Sequence, residues 1–350
     1  MTEVLALSPN QRALELTGRD YVSFSALSTY QRCPLQHHFR YVAGLPEATV
    51  SASLVFGAAI HRAAEPHFRE LLAGNSAPSL DMLIDCYQQE WQERAGTPIE
   101  FPKRDDVDSL GELAERVLKA FRDSDVTDPD GTILGVEEEL RGPVVEGCPD
   151  LLARIDLITE TNDDLVVTDL KTSRSRWSQT QAELSAEQLL LYGELASRLA
   201  PERSLRLRFL VLTKTKSPIA EIHEVTVDPR RVDRTKRVFQ RTWAAIETGL
   251  VYPAPSVMNC EGCPFREPCR DWIGLPKPAE GTRTTPSAAG RATTISTVAT
   301  ATTHSSAVRG TTASTDPSAT TFSRVTTESP RRRTLVRDPV REPHLQPAED

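Results

Sequence analysis

The chain has 350 residues, of which 39% are apolar, and a formal net charge of −8. This length allows one large domain or two ordinary ones with a real core. A net negative charge is unusual for a nucleic-acid-binding protein, whose binding surface is usually basic. Net charge, however, governs solubility and the steering of ligands rather than the chemistry of a site. No apolar run approaches the roughly 18 residues of a membrane span, and residues 1–20 lack the features of a signal peptide. We therefore expect a cytoplasmic protein with no membrane partner.

Apolar periodicity and turn residues predict helices first and strands later along the chain. The first helices are predicted from a cap at Ser25 towards Tyr41 and at Phe56–Leu72, Leu80–Glu93 and Leu110–Arg122. Next come the strands Ile133–Leu140, Leu151–Thr159 and Leu165–Lys171, the helix Ala182–Leu199, the strands Leu205–Thr213 and Ile219–Val227, and a helix from Asp228-Pro229 to near Gly249. This order predicts an α/β fold with a mixed central sheet flanked by helices and a helical insertion at about residues 73–130.

Two aspartates and a lysine flank a strong turn signal at residues 161–164. A turn centred between Asn162 and Asp163 would place Asp156 opposite Asp169, with Cβ atoms about 4.5–5.5 Å apart. Lys171, two residues further on, would point to the same face. A divalent cation such as Mg²⁺ or Mn²⁺ would relieve the repulsion, and a lysine beside it suits phosphodiester hydrolysis. Solvent-facing aspartates on an exposed strand are the alternative.

Two helices carry further candidate site residues. His61 borders the apolar stripe of its helix, where it could ligate a metal or be an ordinary core histidine. Gln188 and Tyr192 are four residues apart and share one helical face, where they could reach a phosphate or a base, or could be the polar edge of a buried helix.

Three cysteines lie close together near residue 265. Cys260, Cys263 and Cys269 are spaced as metal ligands in a reducing compartment. The fourth ligand is predicted to be Cys33, which precedes Pro34 at a helix break, because Cys86 lies within a helix and Cys148 in a turn. This spacing suits zinc and an iron–sulfur cluster equally well.

The composition changes after about residue 275. Between residues 281 and 330, 24 of 50 residues are serine or threonine, and three arginines follow at 331–333. Such a segment cannot bury enough apolar area to fold. We predict an N-terminal extension over 1–20, one domain over 21–275, and a disordered tail rich in Ser, Thr, Pro and Arg over 276–350.

Taken together, the motifs resemble the RecB-like exonuclease branch of the PD-(D/E)XK superfamily, which includes nuclease domains of helicase–nucleases and CRISPR-adaptation nucleases. The matching positions are Ser23, Phe24, Ser25, Leu27, Tyr30, Cys33, Pro34, Gly57, His61, Glu137, Asp156, Asp169-Leu170-Lys171-Thr172, Gln188, Tyr192, Cys260, Cys263 and Cys269. Ile155 stands where the name-giving proline would be, and Ala153 where the branch usually has glycine.

The resemblance implies a restriction-endonuclease-like core and a specific set of functional residues. It implies metal ligation by His61, Asp156, Asp169 and the carbonyl of Leu170, with Lys171 catalytic. Gln188 and Tyr192 would support the site or contact DNA, and a [4Fe–4S] cluster would sit on Cys33, Cys260, Cys263 and Cys269. The role of Glu137 is less defined, because Glu138 and Glu139 leave the register ambiguous.

The function expected from this resemblance is Mg²⁺- or Mn²⁺-dependent hydrolysis of single-stranded DNA or duplex ends in repair or recombination. No phosphate-binding loop of the G-x-x-x-x-G-K-[ST] form occurs, so a helicase activity would come from a separate partner. Three alternatives stay open: a non-catalytic DNA-binding module with the cluster, a zinc-stapled adaptor protein, and a nuclease of CRISPR adaptation.

Overall fold

A six-stranded mixed sheet forms the centre of the protein in the computed structural model, which describes residues 7–274 apart from the side chain of residue 95. The strands are β1 (Val22–Ser23), β2 (Val50–Ser51), β3 (Ile99–Glu100), β4 (Thr132–Gly142), β5 (Leu151–Glu160), β6 (Asp164–Ser173), β7 (Ser204–Thr213) and β8 (Ala220–Val225). The sheet runs in the order β1-β5-β6-β7-β8, with β4 paired to β5, while β2 and β3 form a separate parallel pair. The predicted tail at 276–350 lies outside the described residues.

Helices cover both faces of this sheet. They are α1 (Pro9–Thr17), α2 (Phe24–Arg32), α3 (Pro34–His37), α4 (Ala52–Leu72), α5 (Leu80–Glu93), α6 (Val107–Arg122), α7 (Gln179–Leu184), α8 (Glu187–Ala196), α9 (Pro229–Glu247), α10 (Val257–Cys260) and α11 (Arg266–Trp272). Short 3₁₀ turns lie at Arg94–Gly96 and Asp125–Thr127, and a π-helical turn lies at His38–Val42. Among residues 7–274, no helix has both the length and the apolar character needed to cross a bilayer.

The alternation of side chains along the strands builds two separate cores. On β7, Phe209 and Val211 belong to the cluster that includes α2, α8 and α9, whereas Leu210 and Leu212 belong to the cluster that includes α4, α5 and α6. Successive side chains of a strand point to opposite faces, so one strand serves both cores. The predicted α/β class, flanking helices and helical insertion at about 73–130 are confirmed, with α5 and α6 packed on α4.

The first predicted helix differs from the structure at its start and in its continuity. Ser23 rather than Ser25 is the N-cap of α2, and its hydroxyl accepts a hydrogen bond from the backbone N–H of Ala26 at 3.3 Å. The helix then stops at Cys33, whose backbone is extended. Pro34 restarts it, because a proline lacks the N–H that a helix interior needs but fits a first turn.

The helix predicted over Ala182–Leu199 is two helices, α7 and α8, which meet at Ser185 and Ala186. No glycine or proline lies at this junction, so the sequence gives no local signal for the break. The predicted N-terminal extension also contains structure, since α1 begins with a Ser8 capping box and buries Ala13 in the larger core.

Candidate active site

The hairpin of β5 and β6 has the predicted register. Leu157 lies opposite Thr168, and the pairing continues to Glu160 opposite Leu165. The paired residues end one position before Asp156 and Asp169, and β6 continues along β7 as its parallel neighbour. The strands therefore fork at the two aspartates instead of holding them in a regular opposed pair.

Asp156 lies at this fork and joins three elements. Its Oδ2 accepts a hydrogen bond from the backbone N–H of Leu170 on β6 at 2.6 Å. Its Oδ1 lies 3.3 Å from Nδ1 of His61 on α4. Because the fork frees this amide from the ladder between β5 and β6, a carboxylate can be held at a fixed position between sheet and helix.

Glu137 reaches the same place from β4. Its neighbours Val136 and Glu138 pair with Leu157 and Ile155, which sets Glu137 across from Asp156. Glu137 has a φ of 53°, a left-handed conformation that is costly for a residue with a side chain. It is half-buried, whereas Glu138 is exposed, which resolves the ambiguous register of the acidic run.

His61, Glu137 and Asp156 each offer one ligand atom, and these atoms all lie within 4.8 Å of one another. Within residues 7–274 this is the one such group of three or more histidine, cysteine or carboxylate ligands. It contains two of the predicted ligand residues and adds Glu137, but it does not include Asp169. Metal ligation by Asp169 and by the Leu170 carbonyl stays a prediction.

Lys171 connects the acidic centre with α8. Its Nζ lies 2.6 Å from Oδ2 of the buried Asp169 and donates to Oε1 of Gln188 at 3.4 Å. Tyr192 is buried one turn further along the same helix, near enough to Lys171 and Asp169 for their charges to affect its pKa. All five residues predicted to be catalytic, including Asp156, therefore line one site.

The charge state of these groups follows from burial and from their neighbours. Burial lowers the pKa of Lys171, but the carboxylates of Asp169 and Asp156 outweigh it and hold the pKa above its usual value. Burial and the negative charge of Asp156 raise the pKa of Glu137 to about 7. The pKa of His61 also lies above its ordinary value, because the attraction of Asp156 exceeds the effect of burial. Lys171 is thus an ammonium, and Glu137 is partly protonated near neutral pH.

These pKa shifts predict that metal binding depends on pH. A metal ligand must be deprotonated, so a cation would compete with protons for Glu137 and for the imidazole of His61. Mn²⁺ affinity is expected to fall as the pH drops below about 7, by about tenfold per pH unit for each displaced proton. Calorimetric titrations from about pH 6 to about pH 8, about one unit on either side of that pKa, measure this dependence. Glu137→Gln should bind less tightly and with a shallower pH dependence; an unchanged dependence would contradict the role of Glu137.

The four cysteines predicted to hold the cluster come from opposite ends of the domain sequence but lie close together in the fold. Cys33, Cys263 and Cys269 pack against the small core of Leu35, Phe39 and Phe265. Burial raises the pKa of the Cys269 thiol, and the thiols of Cys33, Cys263 and Cys260 raise it further.

The two remaining cysteines lie elsewhere. Cys86 is half-buried on α5, and Cys148 is buried within the larger core. Of the remaining cysteines, Cys33 and neither Cys86 nor Cys148 lies beside the three clustered ones, and its role as a ligand stays a prediction.

Comparison with known proteins places the chain in a family. No curated protein matches it. One solved structure, named "Putative exonuclease" and from Eubacterium rectale, is 14% identical, covers 79% of this chain and 95% of its own, and has a TM-score of 0.47. Another, named SSO0001, is 16% identical, covers 69% and 92%, and has a TM-score of 0.29. The family model described as the PD-(D/E)XK nuclease superfamily matches residues 21–270. The chain therefore belongs to the PD-(D/E)XK nuclease superfamily.

Proposed function

We propose that this protein is a metal-dependent deoxyribonuclease of the RecB-like branch, which hydrolyses phosphodiester bonds of single-stranded DNA or duplex ends in DNA repair or recombination. The observation that carries the proposal is the convergence of His61, Glu137 and Asp156 beside the ion pair of Lys171 with Asp169. Three carboxylates, an imidazole and a buried ammonium at one point are costly unless they bind something.

The donor set fits a divalent cation such as Mg²⁺ or Mn²⁺. Carboxylate oxygens suit both ions, and Glu137 and Asp156 bring two of them to one pocket with the imidazole of His61. His61, Glu137 and Asp156 would hold the ion, with Asp169 and the Leu170 carbonyl as further candidates. When bound, the metal would polarise a phosphoryl oxygen and lower the pKa of water.

The residues of the chain itself would orient and stabilise the reacting phosphate. Lys171 is fixed by Asp169 on one side and by Gln188 on the other, so its Nζ has a defined position. Because Lys171 is held as an ammonium, we assign it to donate hydrogen bonds to the developing negative charge rather than to abstract a proton. Gln188 is assigned as a positioning residue, and Tyr192 supports the same wall of the site.

We further propose that Cys33, Cys260, Cys263 and Cys269 hold a [4Fe–4S] cluster. Four thiolates can hold either zinc or an iron–sulfur cluster, and the resemblance of the cysteine pattern to the RecB-like branch favours the iron–sulfur cluster. The cluster would join the two ends of the nuclease domain, which we place at residues 21–275. The N-terminal extension precedes this domain and the tail follows it.

The proposed activity is tested by cleavage of end-labelled single-stranded and duplex DNA with Mg²⁺ or Mn²⁺. Loss of one donor to a developing charge typically costs about 10²–10³-fold in rate. Lys171→Ala is expected to lose at least that much, and cleavage should stop when the metal is chelated. The length of the first products separates exonuclease from endonuclease cutting.

The paired control is Lys216→Ala, which removes an exposed lysine from the loop between β7 and β8 and should leave cleavage unchanged. Equal cleavage by the wild type and Lys171→Ala would contradict the assigned site. DNA binding without cleavage by a folded wild-type protein would instead favour a non-catalytic module or a nuclease that needs its helicase partner.

A further inference from the structure

Helix α9 has one buried face and one face turned to solvent. The buried residues contact the larger core, and the helix packs against α2 and α8. These residues are Val232, Thr235, Phe239, Thr242, Trp243 and Ile246. Since α8 carries Gln188 and Tyr192, α9 lies directly behind one wall of the candidate active site.

Four arginines occupy the solvent face of α9. Arg230, Arg234, Arg237 and Arg241 follow one another at intervals of four, three and four residues, and all are exposed. At about 100° per residue these positions fall within an arc of about 60°, opposite the buried face. At about 1.5 Å per residue, this arginine stripe extends over about 16 Å.

Ion pairing distinguishes the stripe from the other cations of the helix. Arg231 pairs with Glu183, and Lys236 pairs with Glu194. The side chains of the four stripe arginines form no ion pair or hydrogen bond with any described residue. Asp233 borders the stripe and is exposed, but it too makes no ion pair within residues 7–274.

An unpaired arginine stripe is unusual on a chain with a net charge of −8. Four like charges at successive helical turns repel one another, and an anionic ligand would remove that repulsion. Guanidinium groups form bidentate hydrogen bonds with phosphate. Along the axis of a duplex each strand carries one phosphate per about 3.4 Å, so a stripe about 16 Å long is comparable in length to a run of a few backbone phosphates.

An acidic protein is the other class of anionic partner. Protein interfaces usually centre on buried aromatic or aliphatic anchors. The solvent face of α9 presents no aromatic residue, and its large apolar side chain, Val238, is 36% exposed. This composition favours a backbone of phosphates over a protein surface.

We propose that the arginine stripe of α9 binds the phosphate backbone of DNA outside the active site. This inference rests on the proposed function for the identity of the ligand as DNA. The stripe would hold substrate that extends beyond the catalytic centre, and it would raise affinity without any role in bond cleavage. Its effect would be independent of base sequence, because phosphate contacts carry no sequence information.

The test measures DNA binding by fluorescence anisotropy over a series of salt concentrations in the full-length protein. All variants carry Lys171→Ala, so binding is separated from cleavage. The stripe variant is Arg230→Gln, Arg234→Gln, Arg237→Gln and Arg241→Gln. The control replaces four cations that have carboxylate partners in or beside α5 and α6, namely Arg94→Gln, Arg116→Gln, Lys119→Gln and Arg122→Gln. Both sets remove four positive charges.

The stripe variant is expected to bind DNA about tenfold or more weakly at low salt. The slope of log Kd against log salt concentration should fall by about 3–4, because each lost phosphate contact changes it by about 0.9. The control should change neither value by a comparable amount. Thermal unfolding checks that both variants are folded.

Equal effects in the two variants would show that only net charge matters and would overturn the proposal. Unchanged binding in the stripe variant would also overturn it and would leave an acidic protein as the candidate partner. Failure of the nuclease proposal is a separate result, since it would appear as absent cleavage by the wild type and not in this binding comparison.

Discussion

Asp156→Asn is expected to abolish metal binding at the candidate active site and, with it, DNA cleavage. Asp156 provides one of the three clustered ligand atoms and contacts both His61 and the Leu170 amide. Asparagine has the same shape and can still accept a hydrogen bond from the Leu170 amide, but it lacks the negative charge. Changes in residues that only orient metal ligands already cost about 10–100-fold in affinity or activity. We therefore expect Mn²⁺ affinity to fall by about 100-fold or more, the upper end of that range.

The measurement is calorimetric titration with Mn²⁺ together with the cleavage assay. Glu138→Gln is the matched control, because it removes an exposed carboxylate one residue away from Glu137 on the same strand. The control should retain both metal affinity and cleavage. Wild-type metal affinity in a folded Asp156→Asn protein would show that the cluster of His61, Glu137 and Asp156 is not the metal site.

Cys33→Ser is expected to remove the proposed cluster and to destabilise the protein strongly. Cys33 ends α2, whereas its proposed co-ligands lie at residues 260–269. A cofactor that binds only the folded state adds its binding free energy to folding, and for structural zinc this reaches about 10–16 kcal/mol. Even a loss of about 4 kcal/mol would lower the Tm by about 8–16 °C in a domain of this size.

The experiment compares anaerobically purified wild type and Cys33→Ser by visible absorption, iron and zinc content, and thermal unfolding. Cys86→Ser is the control, since Cys86 lies on α5 away from the other thiols and should leave absorption and iron content intact. One zinc and no iron per wild-type chain would show that the cysteines bind zinc rather than an iron–sulfur cluster. Unchanged Tm and metal content in Cys33→Ser would remove Cys33 from the ligand set.

The sequence by itself determined the elements whose signals are local. The bounds of α5 were predicted to the residue, and α4, β5, β6, β7 and α9 to within a few residues, because apolar periodicity and caps act over one or two turns. The register of β5 and β6 also followed from the turn at 161–164, since a hairpin loop fixes which residues face each other. The spacing of two residues along β6 likewise predicted that Lys171 lies on the same face as Asp169.

Only the tertiary structure decided how separate segments meet. The position of Glu137 depends on a positive φ, which a sequence usually signals with a glycine and here does not. The acidic run at 137–139 also does not indicate which of its three glutamates enters the site. The fork beyond Leu157 arises because β6 leaves β5 and continues along β7, a non-local pairing that frees the Leu170 amide for Asp156. Likewise, the sequence shows the spacing of the α9 arginines. It does not show which cations of the helix form ion pairs, because their partners, Glu183 and Glu194, lie far away in the sequence. Periodicity encodes which face of an element is buried, whereas long-range packing determines what that face contacts.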